Sequence, residues 1–277
     1  MTCLLRGLAS GGGPGRKRPA WHGIQRPARH RIRKAGRRRP AGRGTLDTWA
    51  GAEPGAGAGD AGFMGADDSL ERQIRFVLET DRLKTVTRQS RITDGSRREN
   101  SAEHSWHLAV MALALAGHAP PGTDLGRVLA MLVLHDVVEI DAGDLFLYSD
   151  SAAQARQGEA ERAAADRIFA LLPVPQAAQV RALWDEFEER RTPEARFARA
   201  LDRLQPMLLN MRTGGGTWVA HGVTLEQVLA KVGLIEDGSA SLGRYAREMI
   251  AAAVAQGFLK PAAPAGPAIA ERPPAAG

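Results

Sequence analysis

The sequence predicts an all-α fold, a single helical bundle over residues 64–260 behind a disordered basic N-terminal tail. Two observations carry this expectation. After Met64, apolar residues recur at helical spacing almost without interruption, and no strand pattern of comparable length appears. Before it, residues 1–62 have the composition of a segment that cannot build a core.

That leading segment holds thirteen Lys or Arg against Asp47, Glu53 and Asp60, a net of +10; the whole chain carries +6, which leaves −4 for residues 63–277. The basic balance therefore belongs to the tail and not to the body. Gly- and Pro-rich stretches flank the run Arg37–Arg39 and offer too little apolar surface to offset the entropy of ordering. Residues 1–63 are expected to be disordered, as are the Pro/Ala-rich residues 261–277. Three readings of the tail stay open. It is a solvated tail or upstream sequence ahead of a true start at Met64 instead of Met1, an arm for nucleic acid, or an Arg-rich transit peptide. The apolar stretch near Met1 is too short for a secretory signal, and no run of ~18 apolar residues spans a bilayer. The expectation is a cytoplasmic protein without a membrane partner. Cys3, the single cysteine, excludes an intrachain disulfide and a thiolate zinc site, so any metal must be held by His and carboxylate.

Along the body, Asp67, Asp68 and Ser69 offer caps to a helix with Leu70, Ile74, Val77, Leu78 and Leu83 on one side. A polar link from about Arg88 to Asn100 follows, punctuated by Asp94-Gly95. Ser101 opens a helix with the apolar run Leu108–Ala116, ended by Gly117 and Pro120-Pro121. Thr123 and Asp124 start the next, whose segment Val128–Leu134 is apolar on all sides and reads as a central, buried helix. Gly143 breaks the pattern. Further helices are expected over Ser151–Leu172, Gln176–Arg190, from Pro193 to the Gly214–Gly216 loop, near Leu225–Leu234, and over Ser241–Phe258.

Four groups are polar where the surrounding pattern is buried. His104 lies one turn before an apolar run. His135 and Asp136 interrupt Met131-Leu-Val-Leu-His-Asp-Val-Val138. Asp202 falls beside the core positions Leu201 and Leu204. A lone buried His is commonly a hydrogen-bonded core residue, and a lone helical Asp commonly faces solvent. The adjacent pair is harder to explain that way, because desolvating a carboxylate costs several kcal/mol without a charge partner. A divalent cation held by two imidazoles and two carboxylates removes the difficulty for all four. Nitrogen and oxygen ligands suit Mn, Co, Fe, Ni, Zn or Mg. Glu139, four residues after His135, falls on the same face at helical spacing, and Asp144 follows Gly143.

The order His104…His135-Asp136…Asp202 resembles the H…HD…D signature of the HD superfamily of metal-dependent phosphohydrolases. The flanking sequences Arg97-Arg-Glu-Asn-Ser-Ala-Glu-His-Ser105 and His135-Asp-Val-Val-Glu-Ile-Asp-Ala-Gly-Asp144 are similar to its bacterial 5′-deoxynucleotidase branch and that branch's eukaryotic relatives. The resemblance covers roughly residues 70–250. It implies an all-α, often homodimeric enzyme that removes phosphate from deoxynucleoside 5′-monophosphates with a divalent transition metal. By position it implies His104, His135, Asp136 and Asp202 as metal ligands and Glu139 and Asp144 as catalytic acids, with base and acid unassigned. It further implies Arg88 as a phosphate contact, with Arg97 a second candidate. Gln89 stands where the bacterial enzymes carry a Trp that shapes the sugar and base pocket, which leaves sugar and base preference open.

The expected partner is a small nucleotide. Two other functions are weighed against phosphate release from monophosphates: a phosphodiesterase or pyrophosphohydrolase using the same ligands, and a nucleic-acid-binding module acting through the basic tail.

Overall fold

The computed structural model describes residues 66–260, and within them the helices are α1 (Ala66–Thr80), α2 (Ser101–Leu115), α3 (Leu125–Leu134), α4 (Glu139–Ala142), α5 (Ser151–Phe169), α6 (Val174–Glu189), α7 (Pro193–Arg212), α8 (Gly216–Ala220), α9 (Leu225–Gly238) and α10 (Ala240–Ala255). The chain is all-α as expected, apart from one hairpin of β1 (Thr87–Arg91) and β2 (Arg98–Asn100). The expected tails, with Cys3 and the basic run, fall outside the described residues. No described helix is long and apolar enough to cross a membrane.

The hub is α7, not the Val128–Leu134 segment. Helices α2, α3, α6, α9 and α10 all pack against α7, which buries Phe197, Leu201, Leu204 and Met207 together with the polar Arg199, Asp202, Gln205 and Asn210. In α3 only Val128, Met131 and Leu132 are buried, while Val133 faces outward. A second, smaller core joins Leu83, Val137, Ile168, Phe169 and Trp184 between α5, α6 and the turn after α3. The site lies where the two cores meet.

Local chemistry sets the ends. Asn100 caps α2 by accepting from Glu103 N at 2.9 Å, while the Glu103 side chain accepts from Asn100 N. Asp124 caps α3, Thr192 caps α7 with Pro193 in its first turn, and Thr224 caps α9. Gly238, at the end of α9, meets α7 closely: an added Cβ would stand 2.2 Å from the Arg196 carbonyl oxygen.

Three further expectations change. The polar link is a hairpin, with Thr87 opposite Asn100 and Arg91 opposite Arg98 and a turn through Gly95 at φ 73°. Its polar residues hide the alternation, because the inward positions are Ser90 and Glu99. Helix α1 begins at Ala66, so Asp68 and Ser69 lie inside it instead of capping it. Its apolar side is not packed either: of the five residues expected there only Leu83, beyond the helix, is buried. Finally, α3 stops at Leu134, and Val137 N and Glu139 N bond back three residues to Leu134 and Asp136. A tight turn over residues 135–138 therefore separates His135 from Glu139, which opens α4, and the two do not share one continuous helix.

Candidate metal centre and active site

His104 comes from α2, His135 and Asp136 from the turn after α3, and Asp202 from the middle of α7. All four are buried. His104 Nε2 lies 3.2 Å from Asp202 Oδ1 and 3.9 Å from Asp136 Oδ2. His135 Nε2 lies 3.0 Å from Asp136 Oδ1 and 3.9 Å from Asp202 Oδ1. One donor atom from each of His104, His135 and Asp202 fits within 4.8 Å of the others, so these three could hold a divalent ion. Asp136 stands beside them, its Oδ2 accepting from Arg88 at 2.7 Å.

The donor set passes a direct test of fit. His135 Nδ1 faces the Leu132 carbonyl at 2.9 Å, which can only accept, so Nδ1 carries the proton. Nε2 is then a bare lone pair aimed at the cluster. It is buried and has no hydrogen-bond partner. An imidazole fixed in this tautomer, facing two carboxylates, suits a divalent cation.

Around the cluster the carboxylates divide into two kinds. Burial opposes ionisation of Asp136, yet positive charge beside it, from His135 whenever that ring takes a second proton and from Arg88, holds it well below the usual carboxylate range. Asp202 is likewise held down against its burial, by Arg203 and a hydrogen bond with His104. Glu139 goes the other way: burial and the Asp136 charge push its carboxyl well above that range, despite Arg88. Burial also raises Asp144, again against Arg88. Glu139 accepts from Ser101 Oγ at 2.5 Å, which fixes its orientation. Carboxyl groups pushed apart in this way are the raw material of acid–base chemistry.

Arg88 joins the two kinds. Its Nη1 lies 3.5 Å from Asp144 and 3.7 Å from Glu139, besides its bond to Asp136. Strand β1 carries it and Gln89 into the wall of a cavity of about 380 Å³ that also includes His135, Asp136, Glu139 and Asp144. Gly143, at φ 74°, turns the chain so that Asp144 reaches this wall.

Arg97 is not brought there. It lies on the surface just ahead of β2, and both its terminal nitrogens donate to Glu103, at 2.8 and 2.6 Å. Its neighbour two residues on, Glu99, faces inward instead. Glu99 Oε2 lies 3.5 Å from His104 Nδ1, and its Oε1 accepts from Gln205 at 2.7 Å. Gln205 also meets His107 at 3.2 Å, giving that histidine a supporting place behind the site. Arg199 and Arg203 are further residues of the cavity that the sequence pattern did not reveal, since cations on a helix ordinarily signal its solvated face. Phe146 and Tyr148 form another part of the wall, backed by His221, 4.4 Å from Phe146, and by Trp218, whose Nε1 donates to Tyr148 at 3.2 Å.

Residues 80–241 match the family described as the HD domain. The chain belongs to this family. A crystal structure from Magnetospirillum magnetotacticum, described as a predicted metal-dependent phosphohydrolase, is 52% identical, with a TM-score of 0.68 over 70% of this chain and 97% of that one. The Xenopus laevis 5′-deoxynucleotidase HDDC2 is 28% identical over 136 residues, 49% of this chain and 66% of the relative. Its human counterpart is 26% identical over 136 residues, 49% and 65% respectively. The HD-domain chain thus spans about two thirds of the length of these curated relatives.

Proposed function

We propose that this HD-domain protein is a metal-dependent phosphomonoesterase that releases phosphate from nucleoside 5′-monophosphates, in the manner of a 5′-deoxynucleotidase. The observation that carries the reading is that the His104, His135 and Asp202 group adjoins a cavity whose wall includes His135, Asp202, Asp136, Glu139, Asp144 and the guanidinium of Arg88. The names borne by the relatives point the same way.

His104, His135, Asp136 and Asp202 are the proposed metal ligands. When bound, a divalent cation supplies Lewis acidity to the phosphoryl oxygens and acidifies water. Arg88 clamps the phosphate, once Asp136 is engaged elsewhere. A water oxygen bonds to phosphorus, the ester P–O bond breaks, and the nucleoside oxygen leaves with a proton. Glu139 and Asp144 serve the two proton transfers, one removing the water proton and the other supplying the leaving oxygen. Both carboxyls lie against Arg88, and the raised affinity of Glu139 for protons suits either role. Gln89, beside Arg88 in the cavity wall, faces the sugar and base.

The test is phosphate release from a panel of deoxy- and ribonucleoside monophosphates with Mn, Co or Mg. Asp136→Asn and Glu139→Ala are compared with the unchanged protein. Metal-dependent release that both variants lose supports the reading, provided the Glu139 variant still binds metal. Silence on monophosphates, with turnover of cyclic or pyrophosphate-linked nucleotides, replaces it with a phosphodiesterase or pyrophosphohydrolase.

The reading includes a homodimer. Leu70, Ile74, Val77 and Leu78 on α1 are exposed, as are Trp106, Val110 and Leu113, which run i, i+4, i+7 along α2. Apolar stripes of this kind suit burial against a second copy. Light scattering should give twice the chain mass, falling to one chain mass in Leu78→Glu or Trp106→Glu; a monomeric unchanged protein removes this part of the reading.

A further inference from the structure

Beyond the metal cluster, the cavity has a wall of cations with few carboxylate partners among the described residues. Arg203 follows Asp202 on α7, Arg190 ends α6, and Lys231 comes from α9; all three face the same cavity as Arg88. Arg203 Nη1 has its nearest carboxylate oxygen, Asp202 Oδ2, at 3.7 Å, and its Nε is buried without a hydrogen-bond partner.

The contrast with Arg199, one turn earlier, is instructive. Arg199 donates to Glu188 at 2.7 Å and to Asp202 at 3.4 Å, with its guanidinium 4.1 Å from the Phe187 ring centre. Arg199 is therefore a partnered, structural cation that already occupies the acids nearest Arg203. Arg190 has a left-handed backbone, φ 57°, the one non-glycine residue with positive φ among the described residues. Its Nε donates to the Glu188 carbonyl at 3.1 Å, and its outer nitrogens have no acid partner among the described residues. Lys231 is half-buried and forms no ion pair among the described residues. Burial and the charges of Arg203 and Arg190 hold its amine below the usual lysine range. Three like charges lining one cavity wall disfavour one another and attract an anion.

We propose that Arg203, Lys231 and Arg190 form a second anion subsite, which holds a phosphoryl group of the substrate other than the one being hydrolysed. Asp202 links the two positions: its Oδ1 faces His104 at 3.2 Å and its Oδ2 faces Arg203 at 3.7 Å. One carboxylate separates the metal ligands from the subsite, so a single small molecule reaches both. The cavity's 380 Å³ is of the size that takes such a ligand. The preferred substrate is then a nucleotide bearing two phosphates, joined to each other in a 5′-diphosphate or placed across the sugar in a 3′,5′-bisphosphate. This deepens the phosphohydrolase reading and rests on it; the group in the subsite is bound and not cleaved.

The test compares dAMP, dADP and deoxyadenosine 3′,5′-bisphosphate as substrates of the full chain with Mn. The variants are Lys231→Met and Arg203→Gln, the first standing clear of the metal ligands should the second disturb Asp202. One of the doubly phosphorylated substrates should have a KM lower than that of dAMP by about tenfold, the worth of one charge-assisted hydrogen-bond set. That advantage should fall to near unity in both variants. Which substrate shows it identifies the linkage. Equal KM values for all three, or an advantage untouched in Lys231→Met, overturns the subsite. Calorimetric binding of pyrophosphate against orthophosphate keeps the two readings apart. Tight pyrophosphate binding that Lys231→Met loses, without turnover of any nucleotide, would uphold the subsite and reject the phosphohydrolase.

Discussion

Arg88 Nη1 and Asp136 Oδ2 are joined at 2.7 Å, in a place where the two side chains are only 12% and 11% exposed. Asp136 is not the only acid this guanidinium serves, since Glu139 and Asp144 lie within 3.7 Å of the same nitrogen. Arg88→Ala therefore removes the counter-charge of three carboxyl groups at once. Removing one partner of a buried ion pair costs about 3–5 kcal/mol. A loss of that size is expected in urea denaturation of the metal-free variant, and added Mn should recover part of it by restoring positive charge beside Asp136. Phosphate release should fall about 10²–10³-fold, the usual effect of deleting one electrostatic contact to the transition state. A variant with full turnover would remove Arg88 from the site.

The orphaned lone pair of His135 makes a second expectation. A ligand that binds the folded chain alone stabilises it by about 2.7 kcal/mol at a hundredfold excess over Kd. For a domain of this size that corresponds to a rise in Tm of roughly 5–10 °C. Mn or Co should produce such a rise and a chelator should reverse it. His135→Ala and Asp202→Asn should abolish the response without abolishing the fold. A metal-insensitive Tm in the unchanged protein would count decisively against the four-ligand site.

Glu99 should govern how tightly that metal is held. Its Oε2 has no hydrogen-bond partner and lies 3.5 Å from His104 Nδ1, which is also without one. A small closure makes the Nδ1–H donate to the carboxylate, directing Nε2 at Asp202 and strengthening it as a donor. Carboxylates behind metal-bound histidines are worth about 10–100-fold in affinity. Glu99→Ala should weaken Co binding by that factor, and Glu99→Gln, which keeps an acceptor, by less. Co titration followed by optical absorption reads this directly. Equal affinity in the unchanged protein and Glu99→Ala would reduce Glu99 to a packing residue.

The uneven legibility of the chain has physical causes. His104, His135, Asp136 and Asp202 were readable because each is polar amid apolar neighbours, a pattern that a shared cation would relieve. Glu139 and Asp144 were readable from the HD flanks, although the helix that was to align Glu139 is a tight turn. Glu99 and Arg203 were not. A hairpin of Thr, Arg, Gln, Ser and Glu has no apolar alternation to betray its inward face. In α7 four buried polar residues dilute the apolar signal, which is why the hub of the fold looked less central than α3. Helix α1 erred in the opposite direction. Its apolar stripe is real, but the described residues do not bury it.

Acid should loosen the frame that carries the site at one identifiable tie. Glu186 on α6 accepts from Arg127 Nε on α3 at 2.8 Å and from Thr192, the cap of α7, at 2.6 Å. Burial alone would raise its carboxyl, but the hydrogen bonds from Arg127 and Thr192 hold it below the usual glutamate range. A depressed folded pKa contributes stability above the ordinary glutamate value, about 4.3, and loses it as pH falls through the lower folded value. Arg127 is 45% exposed, so solvent screens the pair and its worth stays under about 1 kcal/mol. Glu186→Gln should accordingly be slightly less stable than the unchanged protein at pH 7. The gap should narrow as pH falls below the ordinary glutamate value and vanish once pH lies below the lowered folded value, where both side chains are neutral. Urea midpoints at pH 7, 5, 4 and 3 measure it, and a gap that stayed constant or widened with acid would show that Glu186 acts through packing and not through its charge.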